Sequence, residues 1–282
     1  SVITPVPFLL LAPLAALHAD DPIGSRRAEN NTPAGGSEAT IAHCVNVMDF
    51  DAHPDNGDNT RQIQEAIDTG KKAVLPPGSF AINGTLVIGN NEYLHLAHGG
   101  WLRRLADRTD NTEPVVRLTG NFSHLTGDGH ACGVSSENAS GGHTGDEIIN
   151  NGVVNVGPVR ADLYTNINWW VVDSICISGS AAAWNAYQKK PYPADVDKNE
   201  LLTLVCSAPL SAKRGSCYNG RVSNCLFRYG GVAIKANPIC NGNMFTNNHF
   251  YRITHKHPIR SFLVYGSTGL FREVDGVTRS DL

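Results

Sequence analysis

Residues 45–88, VNVMDFDAHPDNGDNTRQIQEAIDTGKKAVLPPGSFAINGTLVI, decide the fold class. Val45 and Val47 alternate with polar neighbours and lead through Phe50 into a turn rich in Asp, Asn and Gly, the pattern of a short half-buried strand and its exit. A helix is expected from Thr60 to about Thr69, because Ile63, Ala66 and Ile67 fall on one stripe and Gly70 ends it. Asn59 is read as its N-cap, with Gln62 three residues on closing a capping box. A strand at Ala73–Leu75, the turn Pro76-Pro77-Gly78 and alternating segments at Phe80–Ile82 and Leu86–Ile88 follow.

The rest of the chain repeats the strand pattern without another helix. Hydrophobic residues are 41% and charged residues 17% of 282, with 28 Gly and two Met, which disfavours an all-α fold and suits many short strands. Short apolar runs recur at Tyr93–Leu96, Val115–Leu118, Val153–Val156, Leu201–Val205 and Val232–Ile234, separated by Gly, Asn and Ser. Three segments align directly: Val172–Ile177, Val222–Phe227 and Phe245–Phe250. Their offsets of 50 and 23 residues (222 − 172 and 245 − 222) are read as two coils and then one coil of a solenoid. In that register Val172, Val222 and Phe245 point inward, as do Ile175, Cys225 and Asn248, and then Ile177, Phe227 and Phe250. Ser174, Asn224 and Asn247 fall together at a bend, where Asn tolerates left-handed backbone and its amide can bond to the next coil. Cys176, Leu226 and His249 form one outward row; Ser178, Arg228 and Tyr251 form another.

The order D-F-D-A at Asp49–Ala52, D-N-T at Asp58–Thr60, the Ala66-Ile67 helix and L-P-P-G-S-F at Leu75–Phe80 resembles the N-terminal entry motif of the pectate-lyase superfamily, as found in tailspikes. Asp51 stands where that pattern has glycine, and Asn59 where it has a second aspartate; both keep turn and cap chemistry. The resemblance implies an all-β, right-handed parallel β-helix capped by one short N-terminal α-helix. Asp49, Asp58 and Thr60 are then structural. Residues 41–282 are assigned to the β-helix and residues 1–40 to an arm and linker.

The net charge of −3 with dispersed Lys and Arg provides no basic stripe, so nucleic acid is not an expected partner. Residues 1–19 are apolar, but Pro5, Pro7 and Pro13 interrupt them and they are too short to span a bilayer. They are expected to dock on other virion proteins. Seven cysteines cannot all pair within the chain; Cys176 and Cys225 are read as small buried hydrophobes, and Cys206 with Cys217 could close the loop between them.

Arg228, His249, Tyr251 and Arg252 combine cations, directional donors and an aromatic face, the mixture that holds a sugar ring with an acidic substituent. They are the candidate carbohydrate-binding residues. The acidic candidates for chemistry are Asp128 with His130, Asp146 with Glu147, and Asp173, yet no polygalacturonase-like set is present, so no catalytic residue is assigned. No metal site and no cofactor are expected. The resemblance to spikes implies a homotrimeric virion-surface spike or fibre component that binds host polysaccharide; a secreted polysaccharide lyase or glycoside hydrolase is the alternative.

Overall fold

The structure is a computed structural model and describes residues 44–105, 113–137, 152–157, 166–181, 200–204, 216–236, 240, 242–253, 259–261, 264–266, 269–274 and 277–281, with side chains through Ile253 other than that of Glu200. Three parallel sheets wrap into a right-handed β-helix. The first stacks Cys44–Asn46, Lys72–Leu75, Tyr93–Leu96, His124–Gly127, Val171–Asp173, Arg221–Ser223 and Met244–Thr246. The second stacks Gly78–Ala81, Gly100–Arg104, Gly133–Ser136, Cys176–Ser178, Leu226–Gly230 and His249–Ile253. The third stacks Leu86–Ile88, Val116–Leu118, Val154–Val156, Glu200–Leu204, Val232–Ala236 and Ile259–Ser261. Each coil visits the three sheets in turn, so the inward member of every alternating strand meets the same position one coil away. Leu94, Leu125, Val172 and Val222 form one such buried stack, and Leu102, Val134, Ile177 and Phe227 another. After Ile259–Ser261 the strands Val264–Gly266, Gly269–Val274 and Val277–Asp281 form an antiparallel sheet instead of a further coil.

The expected helix is present at Thr60–Ile67, with Ile63, Ala66 and Ile67 buried. Its cap differs from the expectation. Asp58 is the capping group: its Oδ1 accepts from the Thr60 amide at 3.0 Å and the Thr60 hydroxyl at 2.5 Å. Asn59 is wholly buried and holds the entry turn instead, accepting from the His53 amide at 2.8 Å and the Asn56 side chain at 3.0 Å. The helix also covers the edge of the third sheet, where the Gln64 amide accepts from Val87 N at 2.8 Å and donates to Val87 O at 2.9 Å, taking the place of a neighbouring strand.

The register of the three aligned segments is as expected: Ile177 pairs with Phe227 and Phe227 with Phe250. The coil count is not. The 50-residue offset is a single coil, because Val172 and Val222 are direct neighbours. The extra length sits between strands, with residues 179–199 separating the second-sheet strand from the third-sheet strand of that coil. Cys176 is buried although its row points outward, as its reading as a small buried hydrophobe requires. Phe250 is 37% exposed, since it stacks on Phe227 at 5.7 Å but sits in the terminal strand of its sheet. Ile175, Ile177 and Phe227 are core residues as expected.

The bend between the first and second sheets is a polar ladder. Ser174, Asn224 and Asn247 have φ of 56°, 55° and 58°. The Asn247 amide donates to Asn224 Oδ1 at 3.0 Å, and Asn224 donates to Asp173 Oδ1 at 3.0 Å. Asn248, expected to point inward, bonds to the Cys225 amide and the Val222 carbonyl at 3.0 Å each, which ties the coils from the inner side of the bend. Cys176 and Cys225 are buried as expected, and burial pushes their thiols up to about 11 and about 12. Cys206 lies outside the described residues; Cys217 has its Sγ 3.2 Å from that of Cys240, one coil on. Residues 1–43, including the expected docking segment, also lie outside them. No helix among the described residues is long and apolar enough to cross a membrane.

Candidate functional site

A cleft of about 480 Å³ opens on the outward face of the second sheet, and its shape follows from side-chain size along two outward rows. One row runs Trp101, Gly133, Cys176, Leu226; the other runs Arg103, Ser135, Ser178, Arg228. Large residues thus stand on the first and last of four rungs, with small ones between them. Three inter-strand steps separate the ends, about 14 Å at roughly 4.8 Å per step. Gly133 cannot carry a side chain, since an added Cβ would lie 2.0 Å from Cys176 O. Gly179, Ser180 and Ala181 complete the floor.

Arg228 arches over this floor. Its Nε donates to Ser178 Oγ at 3.2 Å, and its guanidinium lies 5.3 Å from the Trp101 ring centroid and 5.7 Å from that of Tyr229. Trp101 is fixed in turn by its indole N–H, which donates to Ala131 O at 2.9 Å. At the cleft's rim Arg103 pairs with Glu137 at 2.9 Å, both side chains being partly exposed.

The sequence-derived site residues divide. Arg228 lines the cleft. Tyr251 and Arg252 adjoin it through Tyr229: Tyr251 meets the Tyr229 ring edge-on at 6.0 Å, and the Arg252 guanidinium lies 5.6 Å from Tyr229 and 5.1 Å from Tyr251. Cations and rings alternate across these two coils. His249 is apart from them, its ring packed edge-on against His130. Trp101, Tyr229, Arg103 and Glu137 were not singled out in the sequence; the outward alternation Trp101-x-Arg103 was the available signal.

The acidic candidates are placed as follows. Asp173 accepts from the Ser223 hydroxyl, from Ser174 Oγ at 2.8 Å and from Asn224 Nδ2 at 3.0 Å. Burial acts to raise its pKa, but those three bonds and Arg221 outweigh it and hold the carboxyl below its ordinary range. Asp173 therefore anchors the ladder as a carboxylate. Asp128 bonds to His95 Nε2 at 3.1 Å and to the His98 amide at 3.0 Å; His130, its expected companion, turns instead to Asn224. Asp146 and Glu147 lie outside the described residues, among which no cluster of potential metal ligands occurs.

No family model and no curated protein matches the sequence. Among solved structures, a provisionally assigned glycosyl hydrolase from Parabacteroides merdae is similar, with a TM-score of 0.51 at 13% identity over 78% of this chain and 92% of that one. The shared feature is the fold. The Streptococcus pneumoniae surface protein and adhesin PfbA matches with a TM-score of 0.41 at 12% identity, over 73% of this chain and 61% of that one. The catalytic unit of an alpha-1,3-glucanase from Streptomyces thermodiastaticus matches with a TM-score of 0.39 at 18% identity, over 83% of this chain and 40% of that one.

Proposed function

We propose that the protein recognises an acidic carbohydrate polymer in the cleft of the second sheet, as a spike or fibre component displayed on a virion surface. The observation behind recognition is the placement of Arg228 over Trp101, 5.3 Å from the ring, across a floor of serine and glycine. A sugar ring is apolar on its faces and polar around its rim. An indole plane takes the face, serine hydroxyls take the rim, and a guanidinium takes a carboxylate through two parallel N–H donors. The Tyr229, Tyr251 and Arg252 cluster extends the same chemistry along the solenoid, as a polymer spanning several units needs.

Hydrolysis of a glycosidic bond requires two carboxyl groups flanking it. Among the described residues that line this cleft Glu137 is the one carboxylate, and it is paired with Arg103, which favours binding over cleavage. Attachment through residues 1–19 and homotrimeric assembly belong to the same proposal, and rest on the apolar arm and the likeness of the entry motif to spikes.

Affinity electrophoresis in gels containing a polyuronate tests the binding site. The wild-type chain is expected to be retarded. Trp101→Ala and Arg228→Ala should each weaken binding by about 2 kcal/mol, roughly 30-fold. Variants retarded as strongly as wild type would remove the cleft from consideration, and progressive shortening of the polymer would favour the lyase or hydrolase alternative.

A further inference from the structure

A second chemical arrangement lies on the outward face of the first sheet. His95 and Thr126 are direct partners on adjacent strands, so their side chains stand side by side. His95 Nδ1 is 2.9 Å from Thr126 Oγ1, and His95 Nε2 is 3.1 Å from Asp128 Oδ1. Thr126 Oγ1 is also 3.0 Å from the Tyr93 hydroxyl. The donor order follows from chemistry. A carboxylate only accepts, so Nε2 carries the ring proton, Nδ1 is left with its lone pair, and the Thr126 hydroxyl donates to it. The single Thr126 proton can go to Nδ1 or to the Tyr93 oxygen; with it on the Nδ1 side, the Tyr93 hydroxyl donates to Thr126 Oγ1. Asp128 is itself oriented by the His98 amide at 3.0 Å.

We propose that Thr126, His95 and Asp128 form an acyl-transfer site that removes small O-acyl groups, of acetyl size, from carbohydrate. The arrangement meets the geometric requirements of an activated hydroxyl: a nucleophile bonded to a base, and the base bonded to a carboxylate that sets its tautomer. Burial and Lys72 lower the His95 pKa against the opposing effect of Asp128, which keeps the imidazole neutral and able to accept a proton at neutral pH. Asp173, next in the row after Thr126, has its carboxylate bonded by Ser223, Ser174 and Asn224 and does not compete for the threonine proton. Thr126 retains 8% exposure, so only a small acyl group reaches it.

In the reaction Thr126 Oγ1 adds to the ester carbonyl carbon as its proton passes to His95 Nδ1. The tetrahedral adduct collapses by breaking the bond from the carbonyl carbon to the sugar oxygen, which leaves with the proton from Nδ1. Water, deprotonated by the same nitrogen, adds to the acyl-threonine; collapse returns the proton to Thr126 and releases the carboxylic acid. Tyr93, whose hydroxyl is 3.0 Å from Thr126 Oγ1, is the hydroxyl proposed to donate to the developing oxyanion. Asp128 is a positioning residue.

The carbohydrate part of this substrate rests on the proposed function, but the chemistry does not, and a small ester separates the two. The full chain is assayed with p-nitrophenyl acetate and with a fluorophosphonate probe. The wild type should release p-nitrophenol at least tenfold faster than Thr126→Val and His95→Gln, Thr126→Ser should retain activity, and mass spectrometry should place the probe on Thr126. Charged groups facing His95 are Lys72 and Asp128. Asp128→Asn should therefore lower kcat with KM unchanged and move the acid limb of the pH–rate profile to lower pH, a shift that a purely structural role would not produce. Folding of each variant is checked by circular dichroism. Hydrolysis by folded Thr126→Val at the wild-type rate would overturn the assignment, whatever the outcome of polyuronate binding.

Discussion

Asn224 shows how one side chain serves the bend. It holds a left-handed φ of 55°, donates to Asp173 and accepts from Asn247. Asn224→Ala loses both bonds and, keeping the β-carbon, loses the polar side chain that lets asparagine tolerate this left-handed backbone, so a loss of about 2–3 kcal/mol is expected in urea unfolding. Asn224→Gly relieves the backbone and should lose only about 1 kcal/mol. Gly133→Ala should do more damage than either, since its Cβ would overlap Cys176 O, a backbone atom that cannot move without its ladder. The ladder was legible in the sequence because Ser174, Asn224 and Asn247 occupy matching places in three similar segments. Cys176 lies on an outward row, which is its correct register, yet it is wholly buried, with Gly133 and Leu226 as its strand partners. Parity along a strand says which way a side chain points and not what lies over it.

At the scale of elements, titration and packing give separate tests. His95 and His124 both have pKa values lowered from 6.5, mainly by burial, with Lys72 adding to the effect at His95 and Arg221 at His124; Asp128 opposes it at His95. A lowered histidine binds fewer protons folded than unfolded, so its contribution to stability is full above 6.5 and is lost as pH falls through the folded value. Asp173, also lowered, contributes above 3.8 and loses that contribution at lower pH. The urea midpoint should be flat from pH 7 to about 9, fall above 9 as the unfolded chain releases the thiol protons of Cys176 and Cys225, fall below 6.5 and fall again below 3.8, and His95→Gln should shrink the decline below 6.5. Arg104 closes the corner between the second and third sheets by donating to the carbonyls of Gly84, Glu113 and Pro114. Burial lowers its pKa to about 10, which leaves it a cation at neutral pH. Arg104→Met leaves those carbonyls without that donor and should cost at least about 3 kcal/mol in the same assay. The helix was legible from its stripe, but its cap was not: Asp58 and Asn59 have similar capping preferences, and the turn that buries Asn59 selects between them.

The whole molecule raises a different difficulty, because solenoid coils of unequal length conceal what they bring together. Val172 and Val222 are one coil apart despite 50 residues of chain, whereas Val222 and Phe245 are one coil apart with 23. Arg228 and Tyr251 lay within the regular part and could be grouped from sequence. Trp101 and Glu137 lay on earlier coils with long connections and could not. The arm belongs to this scale as well. Leaving Phe8, Leu9, Leu10, Leu11, Leu14 and Leu17 in water forfeits about 1.5–3 kcal/mol apiece, which is the physical reason to expect a docking partner. Deletion of residues 1–19 should abolish incorporation into particles, scored by blotting purified virions, while leaving the β-helix folded; normal incorporation would defeat the docking proposal. In the proposed function the cleft binds an acidic sugar polymer through Trp101 and Arg228. Its most direct test is calorimetric titration of the full chain with an oligouronide and with the same oligosaccharide after reduction of its carboxyl groups. Saturable binding of the acidic form, weakened roughly 30-fold on carboxyl reduction and by Arg228→Ala to a similar degree, is the expected result. Equal affinity for the two oligosaccharides, or affinity unchanged in Arg228→Ala, would contradict it.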